Sequence, residues 1–188
     1  IDIMFGIPNQ TVESFATTLN EVYKLNPAHI SAYSLIIEEG TPFHNMNLSL
    51  PKEEEEREMY NLILNNNKGY KRYEISNFAK EGYMCKHNLK YWEFEDYLGL
   101  GLSAYSFYKG ERFNNFSDFK SYYSAIDKGK MPIESSEKET KEELIKDYII
   151  TSLRLVKGLN FNDFNMKFNK DFYFHWADFN NNPLNAIV

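Results

Sequence analysis

The segment CKHNLKYW, residues 85–92, contains the residue types with the strongest potential for ligand chemistry. Tyr91 follows His87 by four residues and Trp92 follows Asn88 by the same spacing, so in a helix each pair would lie one turn apart. A histidine with flanking aromatic rings can supply an axial ligand and a stacking surface for a flat macrocycle. The alternative is a packing turn, in which the rings fill a core and the imidazole makes a structural hydrogen bond. Taken alone, the segment favours packing.

A carboxylate in the first predicted strand is a second candidate for ligand binding. IDIMF reads as a strand, in which Ile1, Ile3 and Phe5 share one face while Asp2 and Met4 share the other. In a parallel strand backed by helices, a carboxylate on the second face points into a polar interior or binds a ligand, because burying it unpaired is costly. These residues leave open whether Asp2 binds a ligand or is a satisfied structural carboxylate.

The stretch GLGLSA, residues 99–104, formally fits the G-x-G-x-x-G/A pattern. A dinucleotide fingerprint also requires a preceding strand and a following helix. Here the glycines lie inside a predicted strand, residues 97–108, and no clear amphipathic helix follows. We therefore expect no nucleotide site, and instead expect glycines that let a ligand or another backbone segment approach closely.

The elements that must position these residues alternate between strand and helix. Thr11 is the predicted N-cap of the first helix, with Glu13 in its first turn. Strands are predicted over residues 1–5, 29–37 and 97–108, with a short extended segment in 70–79. Helices are predicted to about residue 25, from Pro51 onward, and over 117–128. This order is typical of βα units with parallel strands.

The composition changes after Met131-Pro132, where a charged stretch leads into a predicted helix and a second small helical element. We therefore predict an α/β domain over residues 1–132 and a small helical domain over 133–188. Because the chain begins directly on a core strand without an initiator methionine, we expect Ile1 to be an interior position of a longer protein.

Charge and cysteine content exclude several classes of function. The net charge is −6 with a pI of about 5.3 and no basic runs, which argues against nucleic-acid binding. One cysteine excludes a disulfide framework and a cluster held by several thiolates of this chain. No apolar run is long enough to span a bilayer, so we expect a cytoplasmic protein.

Four ordered stretches resemble the later portion of radical S-adenosylmethionine (SAM) proteins related to oxygen-independent coproporphyrinogen III oxidase. They are IDIMFGIPNQTVESF, HISAYSLIIEEGTPF, YEISNFAKEGYMCKHNLKYW and YLGLGLSAYSF. Within the third, HNLKYW fits the H-N-x-x-Y-W signature of the HemW branch, whose members are similar to haem chaperones. The resemblance extends to about residue 172.

This resemblance implies an α/β fold, the later part of a partial (β/α) barrel, followed by a small winged-helix-like domain that is incomplete here. It also implies a four-iron four-sulfur cluster held by a CxxxCxxC motif. That motif is absent from this sequence, so its cysteines would lie before Ile1. The chain alone is expected to be inactive in radical chemistry.

The resemblance further implies two sets of binding residues. The positions that match SAM-contacting residues of the family are Asp2, Ile36 and Tyr105. The positions that match the haem or porphyrin signature are His87, Asn88, Tyr91 and Trp92. Within the second set, His87 is the expected axial ligand of the haem iron.

The leading functional hypothesis is a HemW-like protein that binds SAM and haem and delivers haem to an acceptor protein. The alternative within the family is coproporphyrinogen III oxidase, which decarboxylates two propionates oxidatively to give protoporphyrinogen IX. A hypothesis of another class is a βα domain whose polar and aromatic residues pack without any ligand.

Overall fold

Strands and helices alternate along the chain, of which the computed structural model describes residues 1–66 and 68–173. The chain divides into two units, Ile1–Lys86 and His87–Val188. The elements of the first unit are β1 (Asp2–Phe5), α1 (Val12–Leu25), β2 (His29–Ser34), a short 3-10 helix (Phe43–Asn45), α2 (Glu53–Asn65), β3 (Lys71–Arg72) and β4 (Asn77–Ala79). Next come α3 (Lys86–Trp92), β5 (Tyr105–Tyr108), β6 (Glu111–Asn115), α4 (Phe119–Asp127), β7 (Ile133–Lys138), α5 (Lys141–Arg154) and α6 (Phe161–Phe168).

The sheet of the first unit has the strand order β1-β2-β4-β3. Strands β1 and β2 are parallel, with Asp2 opposite Ser31, as predicted for a βα unit. The prediction of parallel strands is wrong for β4, which runs antiparallel to both β2 and β3. Only four residues separate β3 from β4, and a connection that short joins antiparallel neighbours.

The core of the first unit lies between one face of this sheet and the helices α1 and α2. Phe15 of α1, Met59 of α2 and Ile30 of β2 are almost completely buried there. Helix α1 begins as predicted, because the Thr11 hydroxyl accepts a hydrogen bond from the Ser14 amide, with Glu13 in the first turn. On the opposite face of β1, Asp2 and Met4 are exposed.

The second unit contains an antiparallel sheet with the order β5-β6-β7. Of the strand predicted over residues 97–108, only Tyr105–Tyr108 forms a strand, β5. Residues 98–104 form a loop, and Tyr97 makes an isolated antiparallel β-bridge with Phe107. Within this loop a Cβ at Gly99 would collide with the carbonyl oxygen of Tyr105. The glycine therefore permits a close approach of backbone, as predicted, and the loop is not the strand–helix turn of a dinucleotide site.

Strand β7 was not predicted, because the sequence indicates only a charged stretch at residues 135–143 that leads into a helix. It pairs antiparallel with β6, with an irregularity between Asn114 and Asn115. Every residue of β7 except the first is exposed, so the segment has no alternation of apolar and polar residues that would predict a strand. The predicted helices α5 and α6 are present. The predicted boundary between residues 132 and 133 lies within the second unit and stays a prediction about domains.

Aromatic rings dominate the core of the second unit. Phe107 of β5, Tyr148 of α5 and Phe164 of α6 are buried together. The Tyr148 ring lies 6.1 Å from that of Phe164, centroid to centroid, at an interplanar angle of 50°. Tilted aromatic pairs of this kind add stabilisation beyond the apolar area that they bury.

Candidate functional site

Helix α3 positions the residues of the H-N-x-x-Y-W signature. The helix ends at Trp92, and Phe94 adopts a left-handed backbone conformation with φ of 55°. The Glu95 amide donates to the Lys90 carbonyl at 2.8 Å, which closes the last turn. A spacing of four residues in this helix places His87 beside Tyr91, as the sequence predicts.

His87 and Tyr91 form a hydrogen-bonded pair. Nε2 of His87 lies 3.2 Å from Oη of Tyr91, and the two rings meet edge to face with centroids 5.0 Å apart at 81°. The ring of Tyr91 also contacts that of Tyr97, with centroids 4.5 Å apart at 62°. His87 itself is exposed, so its imidazole is accessible to a ligand.

This pair lines a cavity of about 850 Å³ in the second unit. The aromatic residues that line it with His87 are Tyr91, Tyr97, Tyr105 and Tyr108. The loop that contains Gly99 forms part of the same wall. The volume lies within the range of about 300–1,000 Å³ that small-molecule and cofactor sites occupy. An accessible imidazole among aromatic rings is a donor set that fits haem.

A charged group borders the cavity at Lys90. Its ammonium lies 2.7 Å from Oε2 of Glu95, and this hydrogen bond together with the carboxylate charge raises the pKa of Lys90. Burial raises the pKa of the Tyr97 phenol. This wall therefore carries the Lys90 ammonium, paired with Glu95, and the Asp96 side chain beside the Tyr97 phenol.

The structure separates Trp92 from the pair formed by His87 and Tyr91. Trp92 lines a different cavity of about 670 Å³, bordered by α5 and α6. The Arg154 guanidinium lies 4.3 Å from its ring centroid, which is cation–π geometry. Asn88 is half-buried in the same helix. The four signature residues therefore do not line a single cavity.

The candidate SAM residues belong to both units. Asp2 is exposed on the face of β1 opposite to the core, which it shares with Met4. Ile36 follows β2 and is 73% exposed. Tyr105 opens β5 in the second unit, where it lines the cavity of His87. A carboxylate on an exposed sheet face suits hydrogen bonding to the polar groups of a ligand.

A further polar pair on the first sheet was missed from the sequence. Nε2 of His29 lies 2.9 Å from Oη of Tyr73, and the Cys85 amide donates to the same hydroxyl at 3.3 Å. Burial lowers the pKa of His29. The two partners are 44 residues apart in sequence. A pairing over that distance leaves no local pattern. The contact of Tyr97 with Tyr91 was also missed, because Tyr97 follows the end of α3 and the contact has no helical spacing.

Metal-ligand clusters and membrane spans were also sought among the described residues. Across 1–66 and 68–173, no three His, Cys, Asp or Glu side chains converge on a position suited to a metal ion. Cys85 is the single cysteine of the chain, and a CxxxCxxC motif requires three. We therefore assign no residue of this chain to an iron–sulfur cluster. None of the described helices combines the length and apolar character needed to cross a membrane.

Comparison with known proteins identifies the fold first. No family model matches the chain. The structure resembles that of coproporphyrinogen III oxidase (HemN) from Escherichia coli, a radical SAM enzyme, with a TM-score of 0.74 and 22% sequence identity. The match covers 95% of this chain and 45% of that one. The α/β fold of the chain is therefore part of the HemN fold, as the sequence predicts.

Sequence relatives then identify the family. The chain is 36% identical to the haem chaperone HemW of Bacillus subtilis (strain 168), over 90% of this chain and 46% of the relative. It is 33% identical to HemW of Lactococcus lactis subsp. lactis (strain IL1403), over 92% of this chain and 46% of the relative. The chain thus spans about half the length of these curated relatives. It belongs to the same family as these HemW proteins.

Proposed function

We propose that this chain binds haem and SAM as part of a HemW-like protein that delivers haem to an acceptor protein in the cytoplasm. The observation that carries the proposal is the exposed His87, hydrogen-bonded to Tyr91 at the wall of an aromatic cavity. The relatives at 36% and 33% identity are named haem chaperones, which supports the same assignment.

Four residues of the cavity have roles in this proposal: His87, Lys90, Tyr91 and Tyr97. The His87 imidazole offers a nitrogen to the haem iron, and the rings of Tyr91 and Tyr97 contact the macrocycle edge. The ammonium of Lys90 suits a propionate carboxylate of haem, for which Glu95 is the present substitute. Because the cavity is open to solvent, the cargo can enter and leave without unfolding of the unit.

SAM binding is assigned to Asp2, Ile36 and Tyr105, of which Tyr105 also lines the cavity of His87. The Asp2 carboxylate would accept hydrogen bonds from polar groups of SAM, while Ile36 and Tyr105 would each offer apolar contact to it. The exposure of all three residues in this structure is compatible with ligand contact. Bound SAM would supply the sulfonium group whose reductive cleavage begins radical chemistry in proteins that also hold the cluster.

Titration with ferric haem tests the haem assignment. We expect wild-type protein to shift the main haem absorption band on binding, and His87→Ala to lose this shift and weaken binding by about tenfold or more, because an iron ligand is removed. His44→Ala, which removes an exposed histidine from the first unit, is the matched control. Identical spectra and affinities for wild-type protein and His87→Ala would remove His87 from the site.

Binding of SAM to Asp2→Ala tests the second assignment. Calorimetry should show at least about tenfold weaker binding, since the variant loses charge-assisted hydrogen bonds. Glu39→Ala removes an exposed carboxylate from the same unit and should bind SAM as the wild type does. Unaltered SAM affinity in Asp2→Ala would exclude a contact by this carboxylate.

The likeness to HemN favours coproporphyrinogen III oxidase as a second candidate function. The test is formation of protoporphyrinogen from coproporphyrinogen III with SAM and dithionite, in a protein that joins this chain to a CxxxCxxC segment with a reconstituted cluster. Absence of product would exclude the oxidase. A packing domain without ligand, the third hypothesis, requires that neither haem nor SAM binds.

A further inference from the structure

The imidazole nitrogen best placed for haem iron is already engaged in the structure. Nε2 of His87 lies within hydrogen-bond distance of Oη of Tyr91, at 3.2 Å. Nδ1 adjoins the ring carbon that carries Cβ, so a wide macrocycle reaches it only against the helix that carries His87. Nε2 is the outer nitrogen of an exposed imidazole that lines the cavity, so we take it as the atom that an incoming iron meets.

Both protonation patterns of the pair block the iron. If Tyr91 donates its proton, the hydrogen bond occupies the Nε2 lone pair that the iron requires. If Nε2 carries the proton and donates it to Tyr91, that proton must move before the iron binds. In either case the interaction between Tyr91 and His87 has to break as the bond between iron and nitrogen forms.

The Tyr91 hydroxyl is held at this position by its surroundings. The helical spacing of four residues keeps the two side chains adjacent. The ring of Tyr97 contacts that of Tyr91 with a centroid distance of 4.5 Å, which restricts rotation of the phenol away from His87. The competing group is therefore pre-positioned next to the ligand nitrogen.

We propose that the Tyr91 hydroxyl competes with haem iron for Nε2 of His87, and thereby lowers haem affinity and speeds haem release. This inference rests on the proposed function. Haem binding replaces the hydrogen bond by an iron–nitrogen bond and leaves the Tyr91 hydroxyl to water, with no change of oxidation state. On release the hydroxyl returns to Nε2 and stabilises the empty site, which suits a protein that must hand its cargo on.

Tyr91→Phe is the decisive variant, because it removes the hydroxyl and keeps the ring that contacts Tyr97. With ferric haem as probe, we expect about threefold tighter binding, the gain that follows from losing one solvent-exposed hydrogen bond in the empty state. Transfer of haem to excess apomyoglobin should slow by a similar factor. The absorption spectrum of the haem complex should match that of the wild type, because the ligand is unchanged.

Two controls define the comparison. Tyr123→Phe removes the hydroxyl of an exposed tyrosine on α4 and should leave affinity and transfer rate unchanged. In a His87→Ala background, Tyr91→Phe should have no further effect, because the nitrogen for which the hydroxyl competes is absent. Circular dichroism establishes that each variant folds as the wild type does.

The outcomes separate this inference from the proposed function. Weaker binding by Tyr91→Phe with an altered spectrum would identify the phenol as an iron ligand and overturn the inference, as would unchanged affinity. Either result leaves haem binding through the cavity intact. Failure of the wild type to bind haem, or identical binding by His87→Ala, would overturn the proposed function and the inference together.

Discussion

The two units of the chain, Ile1–Lys86 and His87–Val188, have hydrophobic cores of different composition. In the first, aliphatic and sulfur-containing residues such as Met59 and Ile63 mix with phenylalanine. In the second, the cluster formed by α5, α6 and β5 is almost wholly aromatic. Two cavities of about 850 and 670 Å³, each lined in part by residues of α3, lie in this aromatic unit.

In the second unit, arginine side chains pack over aromatic rings. Arg112 lies over Phe107 at 4.8 Å and Arg154 over Trp92 at 4.3 Å, measured to the ring centroids. Arginine can cover an apolar ring with its stem and its guanidinium plane while keeping hydrogen bonds to carboxylates. In the first unit the comparable contact is made by a lysine, Lys80, whose ammonium lies 5.4 Å from the centroid of the Tyr70 ring. The comparison teaches that arginine, which stays charged while it stacks, serves this purpose in the aromatic unit.

The largest expected effect comes from the centre of the aromatic core. Phe164→Ala should destabilise the second unit by about 3–5 kcal/mol, because a fully buried ring is replaced by a cavity. Phe15→Ala should do the same in the first unit. Hydrogen exchange resolved by residue measures each unit separately. Phe119→Ala removes a ring that is 65% exposed and should cost less than about 0.5 kcal/mol.

The second-largest expected effect is the loss of an ion pair, which should lower the unfolding free energy more in the second unit than in the first. Nη2 of Arg112 lies 2.6 Å from the Asp147 carboxylate, and its Nε donates to the nearly buried Glu139. Arg112→Met should cost about 2–3 kcal/mol of unfolding free energy, because Glu139 loses its cation. Arg57→Met breaks an exposed helical pair with Glu53 and should cost at most about 0.5 kcal/mol. Equal losses in urea unfolding would contradict this contrast.

Helix capping should affect both units alike. Thr11 and Thr140 each cap a helix in a capping box, one in either unit. Thr11→Ala and Thr140→Ala should each cost about 1 kcal/mol in denaturant unfolding, whereas the matched Thr→Ser changes should cost little. A large difference between the two alanine variants would show that the surrounding core, rather than the cap, sets the effect.

The smallest expected effect is a pH dependence specific to the first unit. The folded-state pKa of His29 is lowered, chiefly by burial, so below about pH 6.5 the unfolded chain binds a proton that the folded chain resists. Stability should therefore fall as the pH drops from about 6.5 toward the folded pKa. His29→Gln should flatten this slope in thermal unfolding at stepped pH. An unchanged slope would assign the dependence to other groups; His44→Gln is the control.

Local signals in the sequence predicted the elements whose partners are close along the chain. The N-cap at Thr11 and the pairing of His87 with Tyr91 both follow from spacings of three or four residues. The strand β7 was missed because its exposed residues carry no apolar alternation, although β6 pairs with it. The predicted direction of β4 was also wrong, because no pattern within Asn77–Ala79 indicates which strand it pairs with or in which orientation.

The sequence by itself determined the N-cap at Thr11, the pairing of His87 with Tyr91, the face of β1 that carries Asp2 and the membership of the family. Periodicity and short-range hydrogen bonds are properties of adjacent residues, and they therefore survive in a single sequence. Only the tertiary structure decided that Trp92 leaves the cavity of His87 and that Tyr97 supports Tyr91 within it. These placements depend on packing between segments that are distant along the chain or turned by a loop, and no local spacing encodes them.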